Sequence, residues 1–180
     1  MIDSTKAPTL ISDRLLLRAV GPTDQQVLYD RVFSDPEVMA QAFDGRVFSP
    51  TEAAEFVRLR FDHDGDGLRP GVLVEKQSKD IMGFAGLMPC EALGEQDFEI
   101  GFVLARTFWG KGYGSEIGRA QLDFGFNHTD RPRLLALADP KNVRSVAVLT
   151  KLGMHRLTAV NDDRRGRRDI YQILRTDWQT

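Results

Sequence analysis

Two neighbouring segments of this 180-residue chain set its architecture: Phe98-Glu99-Ile100-Gly101-Phe102-Val103-Leu104 and, four residues later, Trp109-Gly110-Lys111-Gly112-Tyr113-Gly114-Ser115. The first is apolar and predicts a strand, and the second is dense in glycine and predicts a tight turn. Apolar residues spaced three and four apart then predict a helix over residues 115–126. The amino end of a helix carries unpaired N–H groups and a partial positive charge, so this turn is a candidate phosphate site.

Two common phosphate-binding motifs do not match the glycine turn. The Walker loop requires Gly, four residues and then Gly-Lys-Ser/Thr, a string that does not occur. The dinucleotide motif requires Gly-x-Gly-x-x-Gly, and Ser115 stands where its third glycine would be. On the glycine pattern alone, a tight turn without a ligand remains an open alternative.

The rest of the chain alternates between strand and helix patterns. Strands are predicted at residues 15–17, 71–76, 81–88, 98–104, 133–138, 156–160 and 170–174. Helices are predicted from residue 22, from residue 49, over residues 115–126 and after Asn142, where Gly153 suits the C′ position. This order predicts a mixed α/β sheet with helices on its faces, in one domain over residues 1–180.

Composition limits the possible functions. The 24 Lys and Arg residues against 26 Asp and Glu residues give a net charge of −2, so we expect no specific nucleic acid and no membrane partner. The opening residues lack an apolar h-region, and Cys90 is the only cysteine in the sequence. We therefore expect a cytoplasmic protein with no disulfide and no metal.

Four segments in order resemble the GNAT (Gcn5-related) N-acetyltransferases, most closely the branch with the ribosomal-protein N-terminal acetyltransferases. They are Leu10-Ile11-Ser12-Asp13-Arg14-Leu15-Leu16-Leu17-Arg18, the stretch 99–116, the helix frame 139–154 and the closing strand 169–178. Together they span about residues 9–178. The resemblance implies the GNAT fold, with a mixed, mostly antiparallel sheet of six to seven strands and four helices. It also implies an acetyl-CoA-dependent N-acetyltransferase.

The resemblance assigns roles to individual residues. It implies that the backbone of Phe102, Val103 and Leu104 pairs with the pantetheine arm of acetyl-CoA. It implies that the pyrophosphate is held by the turn and helix start, namely Gly110, Lys111, Gly112, Tyr113, Gly114 and Ser115. Asn142 matches the family's asparagine near the pantetheine, with a plain helix cap as its alternative role. Ser145 matches the branch's serine one turn later.

Two departures from the family leave the catalytic groups open. The tyrosine that many relatives use to reprotonate the departing thiolate is Leu149 here, and the strand before Asn142 contains no acid. Glu99 is the remaining candidate for a catalytic base. It alternates with the apolar residues of its strand, so we expect its side chain on the opposite face of the strand. Burial would raise its pKa and let it accept a proton directly or through water. An arginine-paired structural carboxylate is the equal alternative.

Three other patterns have simpler explanations. The stretch Asp62-His63-Asp64-Gly65-Asp66-Gly67 begins like a calcium loop, but Leu73 stands where the twelfth-position glutamate should be. The stretch Arg164-Arg165-Gly166-Arg167-Arg168 could bind phosphate or RNA, although a solvated hairpin tip is favoured because acids flank it. We expect Cys90 to be an unreactive loop thiol, since no histidine is placed beside it.

The leading prediction is direct acetyl transfer to a primary amine, either a protein N-terminal α-amine or a small molecule. An unperturbed lysine has a pKa of about 10.4 and an α-amine one of about 7.7 to 8.0, so neutralisation at pH 7 costs ~4.6 kcal/mol for the first and ~1 kcal/mol for the second. This difference mildly favours the α-amine. A catalytically silent acyl-CoA-binding module and a generic nucleotide-phosphate binder are the alternatives. The sequence leaves the acceptor unidentified, and the protein is expected to be a monomer or a homodimer.

Overall fold

The computed structural model describes residues 8–162 and 166–178, which build an eight-stranded sheet in the order β1-β2-β3-β4-β5-β6-β8-β7. All neighbouring strands are antiparallel except β5 and β6, which are parallel. The strands are β1 (Pro8–Ile11), β2 (Leu15–Arg18), β3 (Gly71–Glu75), β4 (Ile81–Cys90), β5 (Asp97–Leu104), β6 (Arg133–Ala138), β7 (His155–Asp162) and β8 (Gly166–Leu174).

Within the described ranges, five α-helices cover the two faces of this sheet. They are α1 (Asp24–Leu28), which continues as a π-helical turn over Tyr29–Phe33, α2 (Pro36–Met39), α3 (Pro50–Arg60), α4 (Tyr113–His128) and α5 (Val143–Lys151). On one face, α1, α2 and α3 pack around Phe33 and Phe84. On the other face, α4 and α5 pack against the sheet through residues such as Ile117, Leu122 and Leu149. The predicted mixed, mostly antiparallel sheet with helices on its faces is confirmed.

The structure has one more strand and one more helix than the sequence predicted. The missed strand, β1, is a four-residue edge strand that begins at a proline. The missed helix, α2, has only four residues, too few for a helical apolar period to show. Its start is defined by Asp35, whose carboxylate accepts from the N–H groups of Glu37 and Val38 at 2.9 and 3.3 Å.

The sheet splits between β5 and β6. Strand β5 pairs with β4 along its whole length, from Asp97 opposite Cys90 to Leu104 opposite Gly83. Against β6 it forms a single pair, Glu99 with Leu135, while β6 itself pairs with β8 along its full length. The carboxyl-terminal half of β5 therefore leaves a gap in the sheet, and this gap positions the candidate site.

Capping groups define where the later helices begin. Ser49 and Glu52 form a capping box at α3, since Ser49 Oγ accepts from the Glu52 N–H and Glu52 Oε2 accepts from the Ser49 N–H. Asn142 Oδ1 accepts from the Ser145 N–H at 3.1 Å and so caps α5, as predicted. In the part of the chain that the structure describes, no helix has the length and apolar character needed to cross a bilayer.

Candidate active site

The gap between β5 and β6 opens into a cleft of about 540 Å³. Most of its lining comes from β4, β5, β6, the glycine turn, the first turns of α4 and α5, and the segment after α2, and Phe56 of α3 and Arg168 of β8 also contribute. Eleven of the twelve residues predicted for the site line this one cleft: Glu99, Phe102, Val103, Leu104, Gly110, Gly112, Tyr113, Gly114, Ser115, Asn142 and Ser145. The fold thus brings together residues from β5, α4 and α5.

The glycine turn forms an open cradle at the start of α4. Gly110 and Gly112 have φ angles of +73° and +81°, which favour glycine. A Cβ atom at Gly110 would meet nothing within 4 Å, and one at Gly112 would meet only Arg14 Nη2 at 3.5 Å. Among residues 8–162 and 166–178 no side chain caps this helix, and the N–H groups of its first turn point out of the helix without an intrahelical partner. Space and donors for an anion are therefore both present.

Glu116 holds the β1–β2 turn against this cradle. Its carboxylate accepts from Ser12 Oγ, the Arg14 N–H and Arg14 Nε, each at 2.7 Å. Burial raises the pKa of Glu116, but these hydrogen bonds outweigh the burial and hold the pKa below its ordinary value of 4.5. Arg14 also donates to the Lys111 carbonyl at 3.0 Å, and its guanidinium lies 4.2 Å from the Tyr113 ring centre. The turn is thus braced from outside the cleft.

Trp109 links the end of β5 to the cradle. Its indole Nε1 donates to the Leu104 carbonyl at 2.7 Å. The guanidinium of Arg144, at the start of α5, lies 4.6 Å from the Trp109 ring centre. Because Trp109 and Arg144 both line the cleft, this contact joins its two sides and places a cation near the cradle.

The opposite wall of the cleft is formed by the amino-terminal turns of α5. Asn142 serves as the helix cap and its Nδ2 also reaches the Gln41 carbonyl at 3.5 Å. Ser145 and Leu149 follow along the cleft. Leu149, the residue at the position that holds a tyrosine in many relatives, is apolar and only 3% exposed. Among the described residues no hydrogen bond engages the Ser145 hydroxyl.

Glu99 lies at the point where β5 and β6 part. The residue is 8% exposed, and it stands opposite Met88 on β4 and beside Leu135 on β6. It shares a sheet face with Val103, which packs in the α1–α3 core, whereas Ile100 and Phe102 pack on the α4 side. The predicted orientation of Glu99 is therefore confirmed, and the residue lines the cleft.

Lys111 is the predicted site residue that does not line the cleft. Its side chain is exposed, with Nζ 5.8 Å from the Phe108 ring centre. Cys90 is not a loop thiol as expected: it ends β4, where it is buried against Leu135 and Ile170. Arg164 and Arg165 lie outside the described residues.

The calcium-like loop is organised by its own backbone. Asp62 is 2% exposed, and its carboxylate accepts from the N–H groups of Asp64, Gly65 and Gly67 at 2.6 to 3.0 Å. No group of three or more potential metal ligands occurs within residues 8–162 and 166–178. The loop is therefore explained by hydrogen bonds to one buried carboxylate.

Sequence reasoning missed the far end of the cleft. Phe43, Phe56, Phe84, Met88 and Arg168 line it. The phenylalanines come from three separate elements, and nothing in their local pattern distinguishes a cleft wall from a core. Arg168 belongs to a basic run that resembles a solvated tip, yet it is 8% exposed. Only the three-dimensional fold identifies these residues.

Comparison with known proteins agrees with this geometry. The family profile of the acetyltransferase (GNAT) domain matches residues 14–155, most of the chain. The chain belongs to the GNAT acetyltransferase family. An uncharacterized Bacillus subtilis protein, YkkB, is 33% identical to this acetyltransferase over 147 residues, which are 81% of this chain and 84% of YkkB.

Solved structures share the fold of this GNAT acetyltransferase. A GNAT-family acetyltransferase from Bacillus anthracis superposes with a TM-score of 0.76 at 25% identity, covering 92% of this chain and 97% of that one. Spermidine N-acetyltransferase from Vibrio cholerae, solved with CoA and spermine, has a TM-score of 0.72 at 19% identity over 91% of this chain and 97% of that one. The second likeness concerns the fold alone.

Proposed function

We propose that this acetyltransferase binds acetyl-CoA in the β5–β6 cleft and transfers the acetyl group directly to a primary amine. The observation that carries the proposal is the half of β5 that does not pair with β6, which leads to the start of α4, where no side chain among the described residues caps the helix. In this proposal backbone groups of Phe102, Val103 and Leu104 pair with an extended amide-containing arm, and the cradle binds a diphosphate. The CoA complex of the Vibrio cholerae structural neighbour supports the same ligand.

The proposed reaction is a single displacement at the thioester carbonyl. The lone pair of a neutral amine attacks the carbonyl carbon, the C–N bond forms and the C–S bond breaks. A backbone N–H of β5 stabilises the oxyanion that develops. The sulfur leaves as a thiolate and takes up one proton, while the amine loses one, so the products are an acetamide and CoA thiol.

Glu99 and Ser145 are the proposed side-chain participants. Glu99 is a buried carboxylate on the cleft surface, suited to accept the amine proton directly or through water. Ser145 lies on the opposite wall, one turn before Leu149, where its hydroxyl can donate a hydrogen bond to the departing sulfur. Neither role depends on the missing tyrosine.

The test has two stages. Acetyl-CoA is added in a thermal-shift assay, and free-thiol release is then followed across a panel of amines and peptides. Stabilisation with turnover supports the proposal, and stabilisation without turnover on any acceptor indicates a silent acyl-CoA-binding module. A shift with ATP or NAD but none with acetyl-CoA would indicate a nucleotide-phosphate binder instead.

A matched pair of variants tests Glu99. We expect Glu99→Gln to lower kcat by a factor of about 10² or more, the usual contribution of a general base, with acetyl-CoA affinity unchanged. Glu75→Gln is the control, because Glu75 is a similarly buried strand carboxylate, 9% exposed, outside the cleft. Equal turnover in the two variants would remove Glu99 from the mechanism.

A further inference from the structure

Phenylalanine rings form one wall of the cleft, on the α1–α3 face of the sheet. Phe84 on β4 forms the base, while Phe43 after α2 and Phe56 on α3 form the sides. The Phe43 ring centre lies 5.1 Å from that of Phe56 and 6.3 Å from that of Phe84. Further rings, those of Phe33, Phe48 and Phe61, pack against these three from behind. We call Phe43, Phe56 and Phe84 the aromatic wall.

The aromatic wall is a poor surface for a polar acceptor and a good one for a flat apolar group. Aromatic side chains prefer stacked or edge-on ring partners, and apolar surfaces make the largest contribution to small-molecule affinity. Met88, opposite Glu99 on β4, adds a flexible thioether to the same end of the cleft. The aromatic wall and Glu99 therefore provide two separate positions within one cavity, the first for an apolar group and the second for an amine.

The charges in the cleft argue against a polycation. Among its described lining residues, Asp and Glu contribute Glu99 and Asp139, and Lys and Arg contribute Arg144 and Arg168. Asp139 already lies 3.4 Å from the Arg168 guanidinium. The two carboxylates of the lining are thus matched by two guanidinium groups, and an acceptor with three or four ammonium groups would add all of its positive charge to this balanced lining. An acceptor with one amine adds a single positive charge.

The segment that carries Phe43 also limits the size of the acceptor. Arg168 Nη2 donates to the Phe43 carbonyl at 2.6 Å, which ties the chain between α2 and α3 to β8. Asn142 Nδ2 reaches the Gln41 carbonyl at 3.5 Å, which brings the same segment to the start of α5. The segment thus spans the acceptor end of the cleft, and a folded protein surface has less access than a small molecule.

From these observations we propose that the acceptor is a small primary monoamine whose carbon chain carries an aromatic ring or a similar planar apolar group. The ring packs on the aromatic wall, and the amine lies toward Glu99 and the thioester. This inference rests on the proposed acetyl transfer and specifies its substrate class. It makes Phe43 and Phe56 specificity-determining residues.

The first experiment compares acceptors on the full-length chain. Free-thiol release from acetyl-CoA is measured with 2-phenylethylamine, n-butylamine, spermine, kanamycin and a short peptide with an N-terminal alanine. We expect kcat/KM for 2-phenylethylamine to exceed each of the others by about tenfold or more, as expected when an apolar group of that size is buried. Acetyl transfer that favours spermine, kanamycin or the peptide, or that treats butylamine equally, would overturn the acceptor class and leave acetyl transfer intact. Absence of thiol release with every amine would overturn both.

The second experiment alters the aromatic wall. We expect Phe56→Leu to lower kcat/KM for 2-phenylethylamine by about threefold to tenfold, with the value for butylamine nearly unchanged. Phe43→Leu provides a second variant in case Phe56→Leu fails to fold, and retained acetyl-CoA binding shows that each variant is folded. Phe124→Leu is the control, since this half-buried phenylalanine on α4 lies outside the cleft. A parallel loss with both amines, or the same selective loss in the control, would contradict the proposal.

Discussion

Replacing Gly112 by alanine separates the cradle's role in binding from its role in folding. At φ +81° an alanine is strained by about 1 to 2 kcal/mol, which for a chain of this length lowers Tm by about 2 to 8 °C. The new Cβ would also occupy open space at the turn, where only Arg14 Nη2 lies within 4 Å. If the substitution removes one hydrogen bond to a charged phosphate, about 1.5 to 3 kcal/mol, the affinity for CoA falls about 10- to 150-fold.

Gly94, in the loop between β4 and β5, provides the control for this prediction. Its φ is +78°, a Cβ there would meet nothing within 4 Å, and it does not line the cleft. Gly94→Ala should therefore show a similar loss of Tm with unchanged CoA affinity. Thermal denaturation and calorimetric titration with CoA measure the two quantities. Wild-type affinity in Gly112→Ala, or the same loss of affinity in both variants, would refute the assignment of the cradle.

Three further predictions follow from single contacts. Glu116→Gln should lower the free energy of unfolding by about 1 to 2 kcal/mol at pH 7, because Arg14 loses its charged acceptor. Since the pKa of Glu116 is lowered in the folded protein, the difference from wild type should be complete above pH 4.5 and be lost as pH falls through that lowered pKa; a constant difference would contradict it. The capping-box hydrogen bond from the Ser49 N–H and the ion pair with an arginine lower the pKa of Glu52 to about 2, so its contribution to stability should be complete above pH 4.5 and decline toward pH 2. Denaturant unfolding of wild type and Glu52→Gln across that pH range measures this contribution, and a stability difference that does not change with pH would count against it. Trp109→Phe removes the donor to the Leu104 carbonyl and should weaken CoA binding about threefold to tenfold by titration, whereas wild-type affinity would show that this link does not shape the cradle.

Local signals explain what the sequence could predict. The strand, glycine turn and helix over β5 and α4 are contiguous, and each is specified by periodicity or by glycine at a positive φ. The same holds for α5, where Asn142 accepts from the Ser145 N–H and Gly153 has a φ of +81°. The cradle end of the cleft is built from these segments, so its residues could be named in advance.

The far end of the cleft could not be predicted because it depends on contacts between distant segments. Phe43 and Phe84 are 41 positions apart and meet only when the segment after α2 folds over β4. Arg168 is turned inward by the Phe43 carbonyl and Asp139, neither of which is near it in sequence. Apolar and charged residues of this kind have the same local pattern whether they line a cleft or pack in a core.

The single Glu99–Leu135 pair has a mechanical consequence. Strands β1 to β5 form one block of hydrogen-bonded strands and β6, β8 and β7 form another, so relative motion of the two blocks breaks very little backbone pairing. An extended molecule bound between them would pair with β5 and contact the second block, and so would couple the motions of the two blocks. Amide hydrogen exchange should then slow on both sides of the seam when CoA is added, including at β6 and α5 positions that the ligand does not touch.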